Sequence, residues 1–188
     1  VWEHLALTRA AAIVGPGDLI HDIDAFRVAL ADLRNFETVA PALSKMRARI
    51  SSVKSDRSVW NFKIGPGRLQ DIELFSQMGS LLAGQKEQSV AAGIAGLVDL
   101  GIIDQAQGDT LKTAYEQFWT LQLGSKLLSE GAFDPELVGD GGQSFILGLS
   151  TSDQLDTLQN KTMLREAAAR SIIETVLPEP QEDVDERG

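Results

Sequence analysis

Apolar residues recur along most of the chain at the three- and four-residue spacing of helices that bury one face. The strict alternation of apolar and polar residues that is typical of strands is scarce. Glycine and proline, with short Ser/Asp clusters, interrupt the helical pattern and mark helix ends. The pattern therefore predicts an all-α fold, a helical bundle of about six to eight helices. The predicted helices span 2–14, 19–34, 38–53, 68–83, 85–100, 105–129 and 152–177, the last with a possible break near 160, and a short apolar segment covers 145–149.

Two loops and a tail separate or follow these helices. Residues 54–68 and 131–143 are rich in Gly, Asp, Ser and Pro and are predicted to be loops. Helix starts are predicted at polar residues whose side chains can accept a hydrogen bond from the first turn. They are Asp18, Thr38, Asp104 and Ser152. The helical domain is predicted to cover 1–177, and the acidic, proline-containing segment 178–188 is predicted to be disordered.

Composition narrows the class of protein and of partner. The chain has 188 residues, of which 43% are hydrophobic, enough for one domain with a sizeable core. Its formal net charge of −10 argues against nucleic acid or an anionic membrane as the main partner, since both require basic surfaces. The chain has no cysteine, which excludes a disulfide framework or a thiolate nucleophile and fits a cytoplasmic location. No apolar run reaches the ~18 residues of a membrane span.

The chain opens directly into helical periodicity at Val1, with no visible signal peptide. We therefore expect it to be a fragment or a processed product of a longer protein.

The most informative segment is 61–77, where a Gly-Pro-Gly turn leads into a helix. Gly65 and Gly67 permit backbone angles that are closed to other residues. The free N–H groups and the positive end of the helix dipole face this turn, and Lys63 stands just before it. Two interpretations remain open: an anion-binding loop that uses Lys63, or a well-capped turn with a solvated lysine.

Spacing divides the side chains of the helix that follows. Gln70, Glu73 and Gln77 share one face. Asp71 lies about 200° around the helix from Glu73, so the two carboxylates cannot form an acid–base pair by themselves. The predicted core stripe consists of Ile72, Phe75, Gly79 and Leu82.

The other notable polar and aromatic residues are better explained by structural roles than by catalysis or ligand binding. Asp22 and Asp24, and likewise Asp153 and Asp156, stand near helix starts and are predicted to be caps or solvated acids rather than magnesium ligands. The only histidines, His4 and His21, lack the spacing of a zinc site. Tyr115 and Trp119 are predicted to be core or interface aromatics.

Three stretches together resemble a known family. The pattern Lys63-x-Gly-Pro-Gly-x-Leu-x-Asp-Ile-Glu-x-x-x-Gln77 resembles the signature of the helical domain shared by glutamine synthetase adenylyltransferase and the P-II uridylyltransferase. Where that family has Gly-Gly, this chain has Gly67-Arg68. The opening Trp-Glu-His-Leu-Ala-Leu-Thr-Arg-Ala of residues 2–10 is similar to the segment that follows the family's nucleotidyltransferase domain, although a second arginine is replaced by Ala11. Lys45-Met46-Arg47 resembles the family's preceding helix, so the resemblance covers about residues 1–100.

The resemblance implies a helical domain that is inactive alone and packs against its own nucleotidyltransferase domain. The parent enzyme would use ATP and magnesium to transfer AMP to glutamine synthetase, and the opening segment looks more like the second, adenylylating half. The residues carried over as nucleotide- or partner-facing candidates are Lys63, Arg9, Glu3, Gly65, Gly67, Asp71, Glu73 and Gln77, with no catalytic residue and no metal ligand among them. Two alternatives remain open: a module that binds a regulator such as the P-II protein, and the equivalent domain of a P-II uridylyltransferase.

Overall fold

The structure, a computed structural model, describes residues 2–32, 35–53, 58–85, 87, 89–131 and 133–179. Within these ranges the chain forms eight helices and no strand, which confirms the predicted all-α bundle. The acidic segment predicted to be disordered lies, from residue 180 onward, outside the described residues. The helices are α1 (Trp2–Leu7), α2 (Gly17–Asp32), α3 (Phe36–Val53), α4 (Leu69–Leu82), α5 (Val90–Asp99), α6 (Gln105–Leu128), α7 (Gly139–Ser150) and α8 (Leu155–Val176).

Helix α4 is the centre of the bundle and contacts α1, α2, α3, α5, α6 and α8. Its predicted core stripe is confirmed at Ile72 and Phe75, which have no exposed surface, while Leu82 is half-buried. Each fully buried large apolar side chain stabilises the fold by roughly 1.5–3 kcal/mol relative to exposure. The surrounding helices complete the core with Leu43, Ile94, Leu97, Leu111, Phe118, Leu121, Ile146, Leu158 and Ile173.

Helices α4 and α5 approach so closely that their backbones touch. A Cβ atom added to Gly79 would lie 2.1 Å from the carbonyl oxygen of Gly93, and one added to Gly93 would lie 2.2 Å from that of Ser76. Only glycine fits at such a crossing. This contact fixes α5 against the centre of α4 and thereby sets the position of the α5 N-terminus.

The first helix is shorter than the predicted 2–14 and ends at Leu7. The guanidinium of Arg27 in α2 donates to the carbonyl oxygens of Leu7, the last residue of α1, and of Thr8, which follows it, at 3.2 and 3.1 Å. The apolar residues beyond, Ile13 and Val14, are 91% and 92% exposed, so their helical spacing does not reflect burial.

Several other predicted boundaries were wrong, since α2 begins at Gly17, α3 at Phe36 and α8 at Leu155. Helix α7 begins at Gly139, inside the predicted loop 131–143, and Gly142 in its first turn leaves room for the side chain of Val138, the residue that precedes the helix. Helix α5 begins at Val90 rather than 85, where the Ser89 side chain accepts a hydrogen bond from Ala92. Helix α8 runs unbroken through 160. The predicted cap at Asp104 is confirmed, and there it forms a capping box with Gln107.

Candidate functional site

The Gly-Pro-Gly turn is held by a carboxylate of the helix that follows it. Oδ2 of Asp71 accepts a hydrogen bond from the backbone N–H of Gly67 at 2.7 Å. Both oxygens of Asp71 also accept from Arg47 of α3, at 2.6 and 2.8 Å. This geometry is the two-pronged pairing that suits a planar guanidinium. Asp71 is therefore a structural clamp between α3, α4 and the turn.

Both partners of this clamp are largely withdrawn from water, with 15% of the Arg47 side chain and 8% of the Asp71 side chain exposed. Burial by itself would lower the pKa of Arg47, but the hydrogen bond and charge of Asp71, with a contribution from Glu174, outweigh it and raise that pKa. The arginine thus remains charged under all ordinary conditions.

Arg68, the residue that departs from the family pattern, ties the same loop to α8. Its Nη1 atom donates to the carbonyl oxygens of Ser58 and Asn61 at 2.7 and 2.6 Å. Its guanidinium also pairs with Glu166 of α8 at 3.0 Å. Only 5% of the Arg68 residue is exposed, so the arginine braces the loop from inside the protein.

Gly67 shows why the turn needs a glycine at this position. Its φ of 75° is in the left-handed region. A Cβ atom there would lie 2.2 Å from the carbonyl oxygen of Glu166 and 2.7 Å from the nitrogen of Arg170. The backbone of α8 therefore lies directly against the turn, and no other residue fits without moving that helix.

A second polar cluster lies on a different face of α4. Nη1 of Arg9 lies 3.4 Å from Oε2 of Glu73, with the arginine side chain 48% and the glutamate 14% exposed. Tyr115 of α6 faces the same carboxylate. Burial raises the pKa of Tyr115, the charge and hydrogen bonding of Glu73 raise it further, and the charge of Arg9 partly offsets the rise. We call Arg9, Glu73 and Tyr115 the polar cluster.

The polar cluster borders an open cleft of about 290 Å³ between the end of the α1 segment, the N-terminus of α5 and the middle of α6. That volume is at the lower end of the range of small-ligand sites, roughly 300 Å³ upward. Charges of both signs line the cleft. The lining residues are Arg9, Ser89, Val90, Ala91, Lys112, Tyr115 and Glu116. The cleft therefore presents both positive and negative groups to the solvent.

Comparison with known proteins decides the family. No protein-family model matches the chain. Over 142 residues, 72% of the chain is 34% identical to part of the bifunctional glutamine synthetase adenylyltransferase/adenylyl-removing enzyme of Rhizobium meliloti. The enzymes of that name from Rhodopseudomonas palustris and Mesorhizobium japonicum are 26% and 29% identical over 94% and 84% of the chain. The homologues of this chain are glutamine synthetase adenylyltransferases.

The chain covers only a small part of these adenylyltransferases. It spans 14% of the Rhizobium meliloti enzyme, 18% of the Rhodopseudomonas palustris enzyme and 16% of the Mesorhizobium japonicum enzyme. The chain therefore corresponds to one segment of a much longer enzyme, and that segment is entirely helical where the structure describes it.

The structure divides the residues that resemble the adenylyltransferase signature into two groups. It brings Gly67 together with Asp71 in the clamp, and Arg9 together with Glu73 at the cleft. As the spacing predicted, the two carboxylates of α4 lie apart and serve different partners.

The remaining predicted site residues are outside both groups. Lys63 and Glu3 are exposed, and no hydrogen bond or ion pair of either side chain is found within the described ranges. Gln77 is buried, with 9% exposed. Gly65, at a φ of 145°, lies against the side chain of Arg68.

Sequence reasoning missed four side chains that the structure places in these sites. Arg47 was noted only as part of a similar stretch, and Arg68 only as a departure from the family. Both are arginines beside a carboxylate on another helix, a relation that helical periodicity cannot reveal. Lys112 and Tyr115 share one face of α6 and are a single turn apart, which is the only available signal that they act together.

Among the described residues, no group of three or more His, Cys, Asp or Glu side chains could hold a metal ion. None of the described helices has the length and apolar character needed to cross a membrane.

Proposed function

We propose that this chain is the helical part of a nucleotidyltransferase that adenylylates and deadenylylates glutamine synthetase in the control of nitrogen assimilation. In this proposal it packs against the enzyme's own nucleotidyltransferase domain, outside the present chain. The relatives named above support this assignment, since each is a bifunctional adenylyltransferase/adenylyl-removing enzyme. The same names favour adenylyl transfer over the uridylyl transfer of a P-II uridylyltransferase. The opening segment of residues 2–10 supports the adenylylating half.

The observation that carries the proposal is the contact between Arg9 and Glu73. These residues come from two separate stretches that resemble the family, and they meet at an open cleft. The carboxylate of Glu73 pairs with the guanidinium of Arg9, while about half of the arginine side chain stays exposed. A positioned, accessible cation of this kind can stabilise negative charge on a nucleotide or on an acidic protein surface.

The chemistry of the transfer itself requires groups from the neighbouring domain. In-line transfer of AMP from ATP needs magnesium to neutralise phosphate charge, and carboxylates hold that magnesium. In this proposal, carboxylates of the nucleotidyltransferase domain bind the magnesium and the ATP. The present chain would position the substrates by closing one side of the cleft between the domains.

Replacement of Glu73 in the intact enzyme tests the proposal. Glu73→Gln removes the charge that positions Arg9 and keeps the shape of the side chain. We expect the rate of AMP transfer to glutamine synthetase to fall about tenfold, the equivalent of ~1.4 kcal/mol of transition-state stabilisation. The matched control is Glu174→Gln, which removes the carboxylate of an exposed pair with Arg170 on α8. If both variants transfer AMP at the wild-type rate and melt normally, the polar cluster is not part of the reaction and the proposal loses its support.

A further inference from the structure

Helix α2 is rich in large apolar side chains, yet it is barely buried. From residue 17 to 29 none of its side chains is fully buried, and only Ile20, Ile23 and Arg27 are half-buried. Leu19 and Phe26 are 53% and 56% exposed. A helix in a small bundle ordinarily turns its large apolar side chains into the core. Helix α2 therefore has apolar surface that the described part of the chain does not cover.

The uncovered apolar side chains form one patch. At about 100° per residue, Leu19 and Phe26 lie on the same edge of α2, two turns apart. In the segment before the helix, two further apolar side chains are 91% and 92% exposed. A Cβ atom added to Gly15 would lie 3.9 Å from Cγ1 of Ile20, so this segment lies against the start of α2. We call these four side chains the apolar patch: Ile13, Val14, Leu19 and Phe26.

Acidic side chains border the apolar patch. Asp22 and Asp18 come next around the helix from Leu19 and Phe26, on the side away from the half-buried residues, and both are exposed. No ion pair of either acid is found among the described residues. A second copy that docked through the same surface would bring these acids together, so like-charge repulsion disfavours a symmetric dimer. The patch instead fits an apolar surface that is bordered by basic side chains.

The apolar patch is joined to the segment that carries Arg9. The guanidinium of Arg27 in α2, with 8% of its side chain exposed, donates to the carbonyl oxygens of Leu7 and Thr8, the two residues before Arg9. Arg9 in turn borders the cleft at which the proposed function places the contact with the reactants. The part of the enzyme that brings the reactants to Arg9 must therefore lie close to α2.

We propose that the apolar patch is the surface on which the nucleotidyltransferase domain of the same enzyme docks, through an apolar contact bordered by basic side chains of that domain. This inference rests on the proposed function, which requires that domain to meet Arg9. The aligned segment makes up only 14% to 18% of the related enzymes, so most of their length lies outside it. A domain of the same polypeptide also needs less contact area than a separate protein, because its tether raises its effective concentration.

Photo-cross-linking of the intact enzyme tests the proposal. The photo-reactive residue p-benzoylphenylalanine, in place of Phe26, joins to whichever segment lies against it, and mass spectrometry identifies that segment. We expect a segment of the nucleotidyltransferase domain. The backbone amides of α2 should also exchange hydrogen about tenfold or more slowly in the intact enzyme than in the isolated chain, since the docked domain must open before they exchange.

A charge reversal tests the basic border of the partner surface. Asp22→Lys should lower the yield of the cross-link by about threefold or more, because it brings a lysine against basic side chains. The matched control is Glu37→Lys, a charge reversal on the exposed start of α3, which should leave the yield unchanged. Circular dichroism melting of both variants excludes unfolding as the cause of a lower yield.

A cross-link to another domain or to a second copy would overturn the proposal, and so would no cross-link at all. Amides of α2 that exchange equally fast in the intact enzyme and in the isolated chain would also overturn it. These outcomes are distinct from a failure of the proposed function. If Glu73→Gln transfers AMP at the wild-type rate while the expected cross-link forms, the polar cluster has no role in the reaction and the docking surface stands.

Discussion

Gly67→Ala gives the sharpest test of how the Gly-Pro-Gly turn meets α8. At a φ of 75°, alanine costs about 1–2 kcal/mol of backbone strain relative to glycine. Alanine also has less conformational freedom than glycine in the unfolded chain, which offsets about 0.4–1 kcal/mol of this strain. The added methyl group would also lie 2.2 Å from the carbonyl oxygen of Glu166, where ordinary contacts begin at 3.4 Å. Helix α8 would have to move by roughly an ångström, and such overpacking costs about 1–3 kcal/mol more.

The matched control for this prediction is Gly101→Ala. Gly101 has a similar φ of 68°, but a Cβ atom there would meet nothing within 4 Å. The control should lose only about 1 kcal/mol, whereas Gly67→Ala should lose about 2–4 kcal/mol. Urea unfolding followed by circular dichroism measures both. Equal losses for the two variants would refute the close contact between the turn and α8.

Three other predictions concern the Arg47–Asp71 clamp, the polar cluster and the proposed binding of magnesium by another domain. Arg47→Ala should lower the free energy of unfolding by about 3–5 kcal/mol, because it leaves the carboxylate of Asp71 buried with one backbone donor. The control Arg170→Ala, in an exposed pair, should lower it by about 0.5 kcal/mol or less. Tyr115 is the only tyrosine, so its titration can be followed by ultraviolet absorbance, and its pKa should lie above the ordinary value of 10.0. Glu73→Gln should lower the pKa of Tyr115, and an unchanged pKa would contradict the contact between Tyr115 and Glu73. The isolated chain should transfer no AMP to glutamine synthetase with ATP and magnesium, and robust labelling would contradict the placement of magnesium binding on another domain.

The helices were predictable because burial imposes a period on the sequence. Leu111, Phe118 and Leu121 repeat as α6 requires, and Asp104 marks its start with a cap that is visible in the sequence. The end of α1 was not predictable in this way, because it depends on Arg27 reaching back from another helix. The start of α7 was not predictable either, because its first four residues, Gly-Asp-Gly-Gly, have the composition of a loop.

The candidate site was predictable only as a set of residues. The motif pointed to Asp71 and Glu73, and their spacing on α4 correctly separated them. Their partners, Arg47 and Arg9, lie on other elements, and nothing in the local pattern joins those residues across the bundle. The distinction between a structural clamp and an open polar cluster therefore required the three-dimensional arrangement.

The central claim is that this helical segment contributes charged groups to AMP transfer. The most direct measurement is the single-turnover rate of AMP transfer to glutamine synthetase by the intact enzyme carrying Arg9→Ala, with Arg170→Ala of α8 as control. About half of each arginine side chain is exposed in its ion pair, so either replacement should change stability by about 1 kcal/mol or less. If the guanidinium of Arg9 contacts phosphate or carboxylate only in the transition state, the rate should fall about 10- to 150-fold. A wild-type rate for Arg9→Ala would contradict the claim.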